Sequence, residues 1–511
     1  MSIYKSTCRN LPLAGIPSSL IIFHRNQPSI HPSKISRKKE TKALNIMKKS
    51  MEIPDCQYPS GPVLVQPSGS TPKHRLYLSN LDDQKFLRFS IKYLYVFREA
   101  VPIDRLRSAL SDILVHYYPL AGRLTRVVSG GGSEEGVESE EKLEVDCNGE
   151  GAIMAEGFVD ISANEFCSRP PNRSWRKLLY RVPDASTFLG VPPLVIQVTH
   201  LTCGGMILCT AINHCLCDGI GTSQFLHAWA QATANPLSDP QVMPFHDRTM
   251  LKPRKPPQIN FSHPEYGADL IGNNSSSSLS LNQFLLSQPL TPISITFSSS
   301  HILHLKKQCT PSIKCTSFEM LAVHVWRAWA KSLELPSTLQ IKLLFSANVR
   351  KKIKPNLPQG FYGNGFVLGC AETPVNQLLA SNPYYGIRLI QLAKQSLHDS
   401  YVRSVIDLLE EKRSIPDMSA SLVISAWSRL GLEELDFGSG KPLHMGPLTS
   451  EIYCVFAPVV GDLGAINVVI SVPEGVAKRF EHYCIKGFEE REEKSEIEGV
   501  NNGERYCEIV V

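Results

Sequence analysis

Two kinds of apolar pattern alternate along the chain: faces of helical period and short continuous runs bounded by turn residues. Asp104 to His116 places Leu106, Leu110, Ile113 and Leu114 on one helical face, and Pro119 ends it. Leu194 to Thr199 and Met206 to Ile212 read as two strands joined by a turn over Leu201 to Gly205. Gly219 to Gln231 follows as a helix with Phe225, Leu226 and Trp229 inward. His214 to Asp218 therefore falls where a buried strand ends and a helix starts, a place where a rigid scaffold holds an open loop. In the second half, Thr316 to Glu319 is a capping-box pattern opening a helix to about Leu333, which buries Leu321, Ala322, Val325 and Trp329. Gln340 to Ala347 reads as a strand and Asn467 to Val472 as a late buried one. Asn382-Pro383 predicts an N-cap and first helical position for one long amphipathic segment, 384–411. Strands and helices alternate without strict βαβ spacing, which predicts an α/β fold with mixed sheets in two lobes.

The interruptions set the boundaries. Ser129 to Glu141 is a Gly/Glu-rich run between two apolar segments and predicts a hairpin tip. Gly272 to Leu279 lies in a Pro- and Ser-rich stretch that begins near Pro244 and reads as a linker. The expected division is a basic, disordered extension (1–50), a first lobe (51–245), a crossover linker (246–280), a second lobe (281–488) and an acidic tail (489–511).

Charge sharpens the outer boundaries. Among 511 residues the net charge is +5, yet residues 1–50 alone carry +9 and the other residues −4. A body with no basic excess is a poor match for a nucleic-acid backbone. The extension is Ser-rich and acid-poor before Glu40, as in a plastid transit peptide; the alternatives are a disordered tail or a true start at Met47 or Met51, with a cytoplasmic protein. Ala185 to Cys217 runs 33 residues without Asp, Glu, Lys or Arg, but its prolines, glycines and polar residues exclude a membrane span. Fourteen cysteines are too few for a disulfide scaffold and read as reduced intracellular thiols.

Candidate chemistry concentrates in two places. The first is Asn213-His214-Cys215-Leu216-Cys217-Asp218-Gly219. By spacing alone, His214 and Asp218 are an orienting pair, a metal pair, or a buried histidine with its partner. Cys203, Cys209, Cys215 and Cys217 lack the paired spacing of a zinc site, so no metal is expected. The second is Asp436-Phe437-Gly438-Ser439-Gly440, a Gly-rich turn after Ser425-Ala426-Trp427. It matches neither a dinucleotide fingerprint nor a P-loop, and no serine-hydrolase elbow occurs in the chain.

Taken together, these elements resemble the His-x-x-x-Asp and Asp-Phe-Gly-Trp-Gly motifs of the BAHD family of plant acyl-CoA-dependent acyltransferases. Tyr117 to Leu124, the Ser317 to Trp329 helix, Asn348-Val349-Arg350, Phe361 to Asn364 and Ser425 to Leu430 are similar to further landmarks in the same order, from about Pro62 to Glu481. The resemblance implies two lobes of the chloramphenicol-acetyltransferase type around a central channel, with acyl-CoA as co-substrate and no permanently bound cofactor. It implies His214 as general base, with Trp427 and Ser425 beside the tetrahedral intermediate and no covalent acyl-enzyme. Asp218 and Gly219 would hold the loop, Asp218 pointing away from the histidine to an arginine. Asp436, Phe437, Gly438 and Gly440 would support the lobe away from the reacting atoms; Ser439 stands where the family has tryptophan. Ser317, at a helix N-terminus, and Lys252, Arg254 and Lys255, by composition, are candidate contacts for the coenzyme phosphates.

The expected reaction is transfer of a hydroxycinnamoyl or aliphatic acyl group to a small-molecule alcohol or amine, an alcohol being favoured, by a monomeric protein. Two alternatives are a non-catalytic accessory protein of very-long-chain lipid elongation, which Ser439 favours, and a peptide-synthetase condensation domain, which Asn213 disfavours. Leu78 to Asp82 and the run from Phe86 to Tyr95 resemble branches that acylate aliphatic or hydroxy-fatty alcohols.

Overall fold

The computed structural model describes residues 52–127, 142–183, 187–236, 238–267, 288–309, 314–448, 453–486 and 488. The basic extension, the hairpin tip, the 272–279 linker and the acidic tail lie outside them. The first half runs β1 (Val63–Val65), β2 (Arg75–Tyr77), β3 (Ser90–Phe97), α1 (Ile103–His116), β4 (Arg123–Arg126), β5 (Leu143–Asp146), β6 (Ala152–Val159), α2 (Ala163–Ser168), β7 (Leu194–Leu201), β8 (Met206–Asn213) and α3 (Gly219–Ala234). The second runs β9 (Leu290–Phe297), α4 (Ser299–Lys307), α5 (Ser317–Ser332), β10 (Gln340–Asn348), β11 (Phe366–Pro374), α6 (Val375–Ala380), α7 (Pro383–Ser396), α8 (Asp399–Lys412), β12 (Ser421–Ala426), β13 (His444–Pro447), β14 (Cys454–Val459), β15 (Asp462–Pro473) and α9 (Ala477–Ile485).

The chain builds two mixed six-stranded sheets. The orders are β1-β6-β7-β8-β3-β13 and β11-β10-β12-β14-β15-β9, with a three-stranded sheet, β2-β5-β4, beside the first. The pairs β6/β7, β10/β12 and β12/β14 are parallel and the others antiparallel. Alternation along the strands gives each sheet two buried faces. In the first, Tyr93, Tyr95 and Phe97 face α1 and α3, while Leu94 and Val96 pack on Trp175 and Leu178. In the second, Leu343, Phe345, Leu422 and Ile424 face α5 and α7, while Leu344, Leu368 and Val423 meet Leu87 of the first half. That last contact places one face of the second sheet against the end of β3.

Most expected elements form, with three corrections. The amphipathic segment 384–411 is two helices: α7 stops at Ser396, and His398 caps α8 by accepting from the Tyr401 N–H. Asn382 precedes Pro383 at the first position of α7, but its side chain makes no capping bond. The described part of the 246–280 connection is pinned into the core near its two ends, with Lys255 to Gln258 exposed between them. Leu251, His263, Glu265 and Tyr266 are buried there, and Arg254 pairs with Asp407 at 2.6 Å. Finally, β13 comes from the second half of the chain but pairs with β3, so the first sheet is completed across the expected lobe boundary. The strands either side of the undescribed 128–141 segment, β4 and β5, pair antiparallel as a hairpin requires.

Candidate functional site

The site is built where β8 runs out. Asn213, its last residue, closes a tight turn: its side-chain oxygen accepts from the Cys215 N–H at 3.0 Å and its carbonyl from the Leu216 N–H at 3.0 Å. Asp218 then caps α3, its carboxylate accepting from the Gly221 N–H at 2.9 Å. Gly221 has to be glycine, because a Cβ there would overlap the Tyr362 carbonyl. The turn from His214 to Asp218 is thus fixed locally at both ends.

Long-range bonds fix it again. Arg350 grips Asp218 bidentately, at 2.8 and 2.9 Å, and the Gly365 N–H donates to the same carboxylate at 3.0 Å. Burial pushes the Asp218 carboxyl up, but Arg350 and the two N–H donors outweigh it, and the acid sits below its ordinary range. Asp218 therefore faces Arg350, with no bond to the imidazole. Arg248, nearly inaccessible, donates to the Leu216 carbonyl at 2.7 Å and the Cys215 carbonyl at 3.4 Å. Its charge is met by Asp82 at 2.8 Å, also fully buried. Asn364 donates from Nδ2 to the His214 carbonyl at 2.7 Å and to Asp82 at 3.0 Å. Three of the loop's carbonyls and its carboxylate are thereby held by side chains from elsewhere in the chain.

His214 itself sits between rings of both halves, edge-on to Phe89 at 5.7 Å and tilted against Phe366 at 5.8 Å. Phe89 stacks on Tyr453 in turn. Burial lowers the His214 pKa; its own carbonyl, Asp218, Asn364 and Asp82 oppose this without cancelling it. Burial thus favours the neutral imidazole, the form that general-base chemistry uses. Its Nδ1 is sealed from solvent with no hydrogen-bond partner, while Nε2 is not among the buried, unpartnered atoms.

The other expected residues divide. Val423, Ser425 and Trp427 alternate on the side of β12 that faces the first half, and Trp427 stacks on Tyr93 at 4.7 Å. Tyr93 lies on β3, three residues along from Ser90, which pairs with Asn213. Trp427 thus meets the strand that pairs with β8, whose end leads into His214, and Ser425 lies two residues before it on β12. Asp436 organises its own loop by accepting from the Gly438 and Gly440 N–H groups at 2.7 and 2.9 Å. Both glycines have positive φ, +97° and +94°, the conformation that favours glycine. Phe437 is inserted against Trp229 and Phe97, and Gly438 adjoins Ala234 at the C-terminal end of α3. With 16 residues in α3, that end is about 24 Å from Asp218, so this loop is remote from His214. Ser439 donates to the Glu99 carbonyl there, at 3.2 Å.

Ser317 is not brought to the site. Its neighbour Phe318 packs on Phe345 and Phe456, on the α5 side of the second sheet, and His214 is on the other side. The first turn of α5 also already holds the Glu319 carboxylate, bonded to Thr316 and Lys394. Arg254 is occupied by Asp407 and Gln258, whereas Lys252 and Lys255 are exposed. Cys209, Cys215 and Cys217 are buried thiols whose pKa burial pushes up. Sequence reasoning missed Arg248 and the structural roles of Asp82 and Asn364. No local signal marked them, because Arg248 stands beside His246 and Asp247, and Asp82 beside Asn80 and Asp83, in polar stretches whose partners lie far away in the chain.

The transferase family matches residues 61–485 of this chain. The chain belongs to the BAHD acyltransferase family. An omega-hydroxypalmitate O-feruloyl transferase of Arabidopsis thaliana is 36% identical over 430 residues, covering 81% of this chain and 89% of that one. A fatty alcohol:caffeoyl-CoA acyltransferase of the same plant is 34% identical, covering 82% and 96%. Vinorine synthase shares the fold of this BAHD chain with a TM-score of 0.60 at 19% identity, covering 83% and 96%. F. sporotrichioides TRI101, solved with coenzyme A and T-2, also scores 0.60, at 15% identity over 80% and 97%. This BAHD protein is an acyl-CoA-dependent acyltransferase of mixed α/β, two-lobed architecture. No helix among the described residues is long and apolar enough to cross a membrane.

Proposed function

We propose that this enzyme transfers a hydroxycinnamoyl group from its coenzyme A thioester to the hydroxyl of a long-chain aliphatic acceptor, with His214 as general base. The mechanism is supported by one observation: an imidazole between rings of the two halves whose Nδ1 is sealed and unpartnered, with burial lowering its pKa. Nε2 is the nitrogen left for a substrate. It takes the proton as the acceptor oxygen bonds to the thioester carbonyl carbon, and a tetrahedral oxyanion forms. When the C–S bond breaks, the same nitrogen returns the proton to the departing sulfur. A thioester is already activated, so positioning, a base and an oxyanion donor suffice. Trp427 and Ser425 supply donors on the facing strand, and Asp218 keeps the turn in place without relaying a proton. The coenzyme is a co-substrate that departs each cycle.

The substrate class is supported by the two relatives named above, whose names pair a feruloyl or caffeoyl donor with an omega-hydroxy acid or fatty alcohol. Purified protein offered feruloyl-, caffeoyl- and benzoyl-CoA should release coenzyme A fastest with the first two, and only when a long-chain alcohol or omega-hydroxy acid is present. Faster release with an amine or with benzyl alcohol would reject the assignment.

A further inference from the structure

Resting on His214 as the base, we infer that Asn364 is the positioning residue that orients the imidazole, its Oδ1 accepting the Nδ1–H of His214. Asn364 is fully buried, and its amide can face only one way. Nδ2 is spent on two acceptors, the His214 carbonyl at 2.7 Å and Asp82 at 3.0 Å, so the oxygen points away from both. That Oδ1 is buried without a partner, and so is Nδ1 of His214. Two complementary orphans on residues already joined by a hydrogen bond are a costly arrangement unless they meet, because each unpaired buried polar atom carries its full desolvation penalty.

The groups around the pair agree. Against burial, which lowers the His214 pKa, its own carbonyl, Asp218 and then Asn364 act to raise it. Asp218 is taken up by Arg350, so the acid that spacing suggests is unavailable for the orienting task. Asp82 accepts the Asn364 main-chain N–H at 2.8 Å as well as its Nδ2, and Arg248 neutralises Asp82, which locks the amide in place. The resting geometry leaves the pair open, and a turn of the imidazole as the acceptor binds closes it; catalytic hydrogen bonds are often long before substrate arrives. With Nδ1 carrying the hydrogen, Nε2 presents its lone pair to the acceptor. An amide keeps this tautomer without adding a charge that would favour the imidazolium, as a carboxylate would.

The test reads the tautomer directly. Two-bond ¹H–¹⁵N correlation spectra of the full chain, with the His214 signals assigned by their loss in His214→Gln, should show hydrogen on Nδ1 in the neutral wild-type ring. In Asn364→Ala the Nδ1–H population should fall, with kcat reduced about 10- to 100-fold and KM little changed. An Nε2–H tautomer in the wild type, or an unchanged tautomer in folded Asn364→Ala, overturns the inference. Neither result bears on the base itself, which turnover by His214→Ala tests separately.

Discussion

At the scale of single residues, chemistry and support are carried by different side chains. His214 has a motif partner four residues on, Asp218, yet the two do not bond; the aspartate is held by Arg350 from β10's far end. Removing that aspartate leaves a largely buried guanidinium unpaired. Asp218→Ala should therefore lower stability by about 3–5 kcal/mol and reduce kcat, with Arg350→Ala behaving alike and the double variant costing less than the sum. Independent, additive losses would contradict the pairing. His214 has its pKa lowered by burial, so the acid limb of kcat/KM should fall below the ordinary histidine value of about 6.5, measured with the acceptor held subsaturating. The motif marks the residue proposed as the base. It could not tell that Arg248 and Asn364 hold the loop's carbonyls while Asp82 anchors both donors, because those contacts join residues up to 282 positions apart.

At the scale of elements, α3 links the two family motifs. Its N-terminus is capped by Asp218, and its C-terminal end packs beside the Asp436–Gly440 loop, where Phe437 fills a space against Trp229 and Phe97. Phe437→Ala should cost about 3–5 kcal/mol, lowering Tm strongly while leaving KM for acyl-CoA unchanged in the folded fraction. A selective loss of kcat with unchanged Tm would place this loop nearer the chemistry than α3 allows. Ser439 stands at the same remote end, where it donates to the Glu99 carbonyl, so its departure from the family tryptophan acts first on packing there. Helix and strand existence was legible wherever the apolar period was strong, as in α1, β7, β8, α3 and α5. The break between α7 and α8 was not, because the same apolar stripe continues across Leu397 and His398. Only the capping bond from the Tyr401 N–H to His398 marks it.

At the scale of the molecule, the two halves are interwoven rather than merely adjacent. β13 completes the first sheet, and Trp427, Leu435 and Phe437 belong to the first half's core. The connection near 246–267 fills the seam with Arg248, His263, Glu265 and Tyr266. None of this was visible in composition, since a Pro-rich stretch looks the same whether it is solvated or packed. Unfolding should accordingly be a single transition. It should also be sensitive to acid. Burial lowers the pKa of His214 and His324, and takes His246, beside Arg248, and His444 to about 4. Below about pH 6.5 the unfolded chain binds protons that the folded one refuses. Stability is thus fully present above that value and lost as pH falls toward 4. Tm should drop between pH 7 and pH 5, and His444→Phe should flatten the slope; a Tm that rises on acidification would contradict it.

His214 is proposed to drive acyl transfer from the thioester as a neutral general base. The most direct test is coenzyme A release from feruloyl-CoA in the presence of a long-chain alcohol by folded His214→Ala. In this variant kcat should fall by at least about 100-fold with acyl-CoA binding retained. Turnover at the wild-type rate would contradict it.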